Sequence, residues 1–164
     1  ADGLKLFGSL FGYSPESFIA PNYIWPSQIE QFLSGSNVRY LKGLSIQFCP
    51  ARGTDVHEKV RHYTGQINLH NQIHLVRNCR FEPTLDKNKN STDECLAQIR
   101  NSFRLGRPAI ISSHRVNYIG SIDPSNREKN LIRLRDLVTM IQKKWPECEF
   151  MTADQVGDLI YNKG

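Results

Sequence analysis

The chain has 164 residues, of which 39% are hydrophobic and 23% are charged, and its formal net charge is +5. This length and composition predict a single compact domain over residues 1–164 with its own apolar core, and they exclude an intrinsically disordered chain. All apolar runs fall well short of the roughly 20 residues that a membrane-spanning helix needs, so no membrane span is predicted.

The basic surplus lies beyond residue 50, and much of it falls on one predicted helix, residues 127–144. A basic helix can bind nucleic acid, but no pattern of stacking aromatic residues accompanies this charge. A solvated helix face is therefore the favoured interpretation, and no nucleic-acid partner is predicted. The four cysteines contain no CxxC pair, which disfavours a zinc ribbon and predicts buried, reduced thiols.

Short apolar strands alternate with amphipathic helices along the chain. The predicted strands cover residues 17–20, 38–41, 44–48, 73–78, 109–112 and 147–151. The predicted helices begin at Ser27, Ser91, Ser125 and Thr152, each followed three residues later by Glu or Gln, which is the spacing of a capping box. The third helix has an apolar stripe of Leu131, Leu134, Val138, Ile141 and Trp145. Residues 49–72 are predicted to be a long irregular loop.

This alternation predicts an α/β fold of mostly parallel strands with helices packed outside them. In such folds ligands bind beyond the C-terminal ends of the strands. The residues that directly follow the strands are therefore the candidate site.

Polar and aromatic side chains are crowded at three strand ends. Residues 17–26, SFIAPNYIWP, carry Asn22, Tyr23 and Trp25. Residues 73–83, IHLVRNCRFEP, carry Arg77, Asn78 and Glu82, and residues 108–120, PAIISSHRVNYIG, carry His114, Arg115, Asn117 and Tyr118. Aromatic faces beside amides and carboxylates are typical of a sugar-binding cleft. Each set also fits a structural role, such as a ring that plugs a sheet end or a local ion pair.

The best catalytic candidate is His114, because histidine is the side chain that most readily transfers protons near neutral pH. It could instead anchor the loop through a backbone hydrogen bond. Ser112 or Ser113 could act as a nucleophile beside it, although there is no GxSxG motif, and adjacency in sequence does not establish the geometry. His70 and His74 have helical spacing, but their surroundings are typical of extended chain, so a metal pair is not expected.

These strand ends resemble motifs of one known family. The segment SFIAPNYIWP resembles the third motif of polysaccharide deacetylases, which shapes one wall of the active-site groove. The strand that ends in SSHRVNYIG resembles their last motif, which delivers the histidine that acts as general acid. With RNCRFEP, NREKNLIRL and WPECEFMTADQVG, nearly the whole chain resembles a group of deacetylase-like proteins found in gut Bacteroidetes.

This resemblance implies a fold and a function. The fold would be the C-terminal part of a distorted (β/α)7 barrel of the polysaccharide deacetylase type, within a larger protein. The function would be a carbohydrate hydrolase that removes acetyl groups from a glycan with a divalent metal. The site would consist of His114 as general acid, of Asn22, Tyr23 and Trp25 along the groove, and of Glu82, Arg115 and Asn117 as orienting or substrate-binding groups.

The chain departs from the family pattern in two respects. No Arg stands in the third motif, and the acidic metal-and-base motif and the paired-His motif have no counterpart. A divalent metal such as zinc is therefore expected in the full-length protein and none in this fragment, which alone is expected to be inactive. The expected partners are a glycan or oligosaccharide substrate, and either the missing N-terminal half or a second copy to cover open sheet edges.

Two other functions remain open. One is a catalytically degenerate barrel that binds carbohydrate without chemistry, which the missing Arg favours. The other is a glycoside hydrolase on a similar barrel, in which Glu82 would be one member of a carboxylate pair.

Overall fold

The computed structural model describes residues 2–50, 57–85 and 90–162. The chain divides into two compact units, a first unit of residues 1–76 and 151–164 and a second unit of residues 77–150. No helix among the described residues is long and apolar enough to cross a membrane.

The first unit contains a three-stranded parallel sheet and a two-stranded antiparallel hairpin. The sheet has the order β1 (Ser17–Ile19), β2 (Tyr40–Gly43), β5 (Ile73–Val76), and the hairpin joins β3 (Ile46–Pro50) to β4 (His57–Arg61). Its helices are α1 (Asp2–Phe11), α2 (Gln28–Gly35) and α5 (Ala153–Tyr161), with a short 3-10 helix at Pro21–Tyr23. Leu33, Val38 and Leu41 form a small apolar core beside this sheet.

The second unit is built on a short parallel strand pair, β6 (Cys79–Arg80) and β7 (Ile111–Ser112). Its helices are α3 (Ser91–Arg104) and α4 (Pro124–Lys144), and a second 3-10 helix covers Arg115–Tyr118. The core of this unit consists of Cys79, Phe81, Cys95, Leu96, Ile99, Leu137 and Ile141. All four cysteines are free thiols, and three of them are buried.

The predicted fold class is confirmed at its coarser level. The protein is a mixed α/β structure, and every strand pair except β3–β4 is parallel. Within the described ranges the strands form three separate small sheets, none of which closes into a barrel. The prediction of a single domain over residues 1–164 stays a prediction.

Several predicted elements differ from the structure. The loop predicted over residues 49–72 contains strand β4, although its residues 51–56 lie outside the described ranges. No strand forms at residues 147–151. On α4 Leu131 is 47% exposed, whereas Asn130 is buried, because the buried side of the first half of this helix faces loop carbonyl groups that need a donor.

The predicted caps give a mixed result. The capping box of Thr152 and Gln155 is confirmed, with both hydrogen bonds present. The box predicted at Ser27 is wrong, because the Glu30 carboxylate instead accepts bonds from the Trp25 indole and from the side chain of Asn68. At α3 the cap is Asn90, one residue earlier than predicted.

Helix α5 approaches β2 closely at Gly157. The Tyr40 ring is fully buried there, and its hydroxyl donates to Asp158 Oδ1 at 2.6 Å. A Cβ at position 157 would overlap this ring. Glycine is therefore required at this position by space rather than by backbone conformation.

Replacing Gly157 with alanine is expected to lower the free energy of unfolding by roughly 1–3 kcal/mol, the usual cost of overpacking a core. Urea denaturation followed by circular dichroism measures the change. The matched control is Gly8→Ala in α1, where a Cβ would meet only the Tyr13 carbonyl oxygen, at 3.9 Å. That variant is expected to gain about 0.5–1 kcal/mol from helix propensity. Equal effects at the two positions would contradict the steric explanation.

Candidate functional site

The parallel register of β6 and β7 brings two of the predicted site residues together. Arg80 is paired with Ser112 in this register. Glu82 and His114 each lie two residues beyond these partners, so they leave the strand pair side by side at its C-terminal end. The sequence places them 32 residues apart, and the strand pairing makes them neighbours.

Glu82 and His114 form a hydrogen-bonded dyad. His114 Nδ1 lies 2.6 Å from Glu82 Oε1, and the side chain of Glu82 is 3% exposed while that of His114 is 57% exposed. The carboxylate thus occupies one ring nitrogen from the buried side, and Nε2 is the nitrogen left for a substrate. A buried acid that orients an exposed imidazole is the arrangement that proton-transfer chemistry uses.

Asn117 completes the buried side of the dyad. It is fully buried, and its Nδ2 donates to Glu82 Oε2 at 2.7 Å and to the His114 carbonyl oxygen at 2.9 Å. A side chain with no exposed surface cannot contact a substrate. Asn117 therefore contacts the two members of the dyad from the buried side.

Two asparagines on α4, which the sequence patterns did not single out, hydrogen-bond to the loop that carries His114. Asn126 donates to the carbonyl oxygens of Val116 and Ile119, and Asn130 donates to that of Asn117. These bonds tie the loop that carries His114 to the helix. The sequence signal for this contact is the spacing of the two asparagines in SNREKN. Residues four apart lie on the same face of a helix, so this spacing places both amides on one side of α4.

Arg115 and Ser113 flank His114 in the sequence and differ in their surroundings. Arg115 is exposed. Ser113 Oγ lies 2.7 Å from the Tyr118 hydroxyl and 3.4 Å from Asn117 Nδ2, and burial raises the pKa of that tyrosine. The bonds of Ser113 thus pair it with Tyr118 and Asn117 instead of His114, which gives no support to Ser113 as a nucleophile.

The remaining predicted residues, Asn22, Tyr23 and Trp25, belong to the first unit. Asn22 and Tyr23 both adopt left-handed backbone conformations, with φ values of 52° and 58°, which is unusual for consecutive residues other than glycine. Such strain tends to mark functional segments, and here Asn22 is exposed and Tyr23 half-buried directly after β1.

Trp25 is 3% exposed, and its ring packs against the Cα side of Gly43, where an added Cβ would lie 3.3 Å away. Its Nε1 donates to Glu30 Oε1 at 3.0 Å. A ring that is buried and bonded in this way has no open face for a sugar. Its surroundings favour a structural role at the end of β2.

The first unit contains a stacked histidine pair. The ring centroids of His62 and His74 are 3.8 Å apart, and the two rings are nearly parallel, with an interplanar angle of 10°. His62 Nε2 lies 2.7 Å from Gln47 Oε1. Burial, with a smaller contribution from His62, lowers the pKa of His74 to about 4. His74 lies on β5 and His70 in the preceding turn, so the helical spacing of these two residues has no structural counterpart.

The described residues do not fit a resident metal ion. No three His, Cys, Asp or Glu side chains among them converge in a way that could hold one.

Comparisons with known proteins add no assignment. No family model, no curated protein and no solved structure matches the chain.

Proposed function

We propose that this chain carries the acid–base part of a polysaccharide deacetylase-like carbohydrate hydrolase, with His114 as the general acid. The single observation that carries this proposal is the dyad of a buried Glu82 and an exposed His114 at the C-terminal end of a parallel strand pair. Ligands of parallel α/β folds bind at that end.

The dyad can hold and deliver a proton. The buried Glu82 carboxylate accepts the Nδ1 proton of His114, and it stabilises the imidazolium that forms when Nε2 is also protonated. Nε2 can then donate its proton to the sugar oxygen or nitrogen that leaves when an acetyl group is cleaved. The leaving atom would otherwise depart as an unstable anion.

The substrate and the fold complete the proposal. We take the substrate to be an acetylated glycan, contacted by Arg115 beside His114. The assignment of Asn22 and Tyr23 in the first unit to the groove stays a prediction from the resemblance. We take the chain to be the C-terminal part of a distorted (β/α)7 barrel. A divalent metal such as zinc, which activates water when bound, would be held by residues outside this sequence. Those residues, or a second copy of the chain, would also cover the open sheet edges.

The test is release of acetate from acetylated oligosaccharides by the full-length protein, measured enzymatically with and without added Zn²⁺ or Co²⁺. We expect acetate release without new reducing ends, and none from the 164-residue chain alone. New reducing ends without acetate would instead indicate a glycoside hydrolase. Glycan binding without either product would indicate a carbohydrate-binding protein, and both results would contradict the proposal.

The glycoside hydrolase is disfavoured by the position of Glu82. Both oxygens of this carboxylate accept bonds from protein groups, and the side chain is 3% exposed. A glycosidase needs its two carboxyl groups beside the scissile bond. Glu82 faces His114 and Asn117 instead, so we assign it to orientation.

A further inference from the structure

The Asn117 side chain is buried, and both its amide nitrogen and its amide oxygen are hydrogen-bonded. Its Nδ2 faces Glu82 Oε2 at 2.7 Å, the His114 carbonyl oxygen at 2.9 Å and Ser113 Oγ at 3.4 Å. Its Oδ1 accepts from the Thr84 backbone N–H at 3.1 Å. The residue is 0% exposed, so these bonds are not shared with solvent.

The bond from Thr84 decides which way the Asn117 amide points. A backbone N–H can only donate, so the atom that faces it must be Oδ1. Nδ2 must then face Glu82. The amide therefore cannot rotate by 180° without losing two donated bonds and placing its oxygen against a carboxylate.

This orientation determines the hydrogen positions on the dyad. One Glu82 oxygen faces the Nδ2 donor of Asn117 and the other faces His114 Nδ1. An ionised carboxylate can only accept, so the bond at Oε1 requires a proton on Nδ1 of His114. In the neutral ring Nε2 then carries the lone pair.

We propose that Asn117 is a positioning residue that holds the Glu82 carboxylate in place and thereby fixes His114 as the Nδ1–H tautomer, with Nε2 presented to the substrate. The catalytic consequence rests on the proposed function of His114. The tautomer itself does not, and it can be measured in the 164-residue chain without substrate or metal.

Asn130 on α4 provides the matched control. This side chain is also buried, at 3%, and its Nδ2 also faces three acceptors: the Asn117 carbonyl oxygen at 2.9 Å, Thr84 Oγ1 at 2.9 Å and Asn126 Oδ1 at 3.0 Å. Its bonds go to neither Glu82 nor His114. Its replacement removes a comparable amide and leaves the dyad's own bonds in place.

The experiment measures the ¹⁵N chemical shifts of the His114 ring in the neutral state, by long-range ¹H–¹⁵N NMR of the wild-type chain and of Asn117→Ala and Asn130→Ala. We expect the Nδ1–H tautomer to predominate in the wild type and in Asn130→Ala. In Asn117→Ala we expect a mixture in which Nε2–H becomes the major form, as in a free histidine side chain. Backbone amide spectra establish that each variant is folded.

The proposal is overturned if the wild type is not mainly the Nδ1–H form, if Asn117→Ala keeps the wild-type ratio, or if Asn130→Ala changes the ratio equally. Should Asn117→Ala not fold, Asn117→Asp serves the same purpose, because it keeps the size of the side chain and replaces the donor by an oxygen. It too is expected to lose the Nδ1–H preference.

Kinetics of the full-length protein separate this inference from the proposed function. If that protein releases acetate, Asn117→Ala is expected to lower kcat by at least tenfold with little change in KM, since the residue does not touch the substrate. Tautomer changes without any acetate release would uphold the positioning role and reject the deacetylase. Acetate release by the full-length protein, together with an unchanged His114 tautomer in Asn117→Ala, would uphold the deacetylase and reject the positioning role.

Discussion

Replacing His114 with alanine is expected to lower kcat for acetate release by the full-length protein about 10²–10⁴-fold, the usual contribution of a positioned general acid. The variant loses the group that protonates the leaving atom, whereas the binding residues remain. KM should therefore change little. Steady-state assays on an acetylated oligosaccharide measure both constants.

Two further variants test whether Glu82 and His114 act as a unit. Glu82→Gln should also lower kcat, because an amide cannot accept from both Nδ1 of His114 and Nδ2 of Asn117 through two oxygens. The double variant should be little worse than His114→Ala alone, since effects within one catalytic unit are not additive. Arg135→Ala, at a side chain that is 73% exposed on α4, is the control and should retain full activity. Unchanged kcat in His114→Ala would remove its assigned role.

Acidification is expected to destabilise the folded chain through His74. Its pKa falls from 6.5 to about 4 on folding, because burial disfavours the charged ring and His62 lies stacked against it. Between these pH values the unfolded chain binds a proton at this position and the folded chain does not. Stability from this source is therefore complete above about pH 6.5, falls as the pH falls, and levels off below about pH 4. The loss amounts to about 3 kcal/mol at most.

The measurement is the free energy of unfolding in urea at pH 7 and at pH 4, for the wild type and for His74→Gln. The variant should be less stable at pH 7, because it loses the stacked ring. It should also lose less stability on acidification, because glutamine does not titrate. If both proteins lose the same free energy between the two pH values, then His74 is not the source of the acid sensitivity.

Local features of the fold were predictable from the sequence. The strand at β1 and the end of α2 at Gly35 follow from patterns within a few residues. The capping box of Thr152 and Gln155 also formed as its spacing predicts, because both partners lie in one helical turn. The same spacing failed at Ser27, where Trp25 and Asn68 compete for the Glu30 carboxylate. A cap is predictable only while no tertiary partner claims its side chain.

The sequence by itself placed His114, Glu82 and Asn117 after predicted strand segments. It indicated His114 as the proton-transfer group and the other two as orienting or substrate-binding groups. Only the tertiary structure decided which of these side chains contact one another. The parallel register of β6 and β7 makes Glu82 the hydrogen-bond partner of His114, and Asn117 is buried with its amide bonded to that carboxylate. The physical reason is that periodicity and spacing encode contacts along the chain, whereas strand register and burial depend on which distant segments pack together.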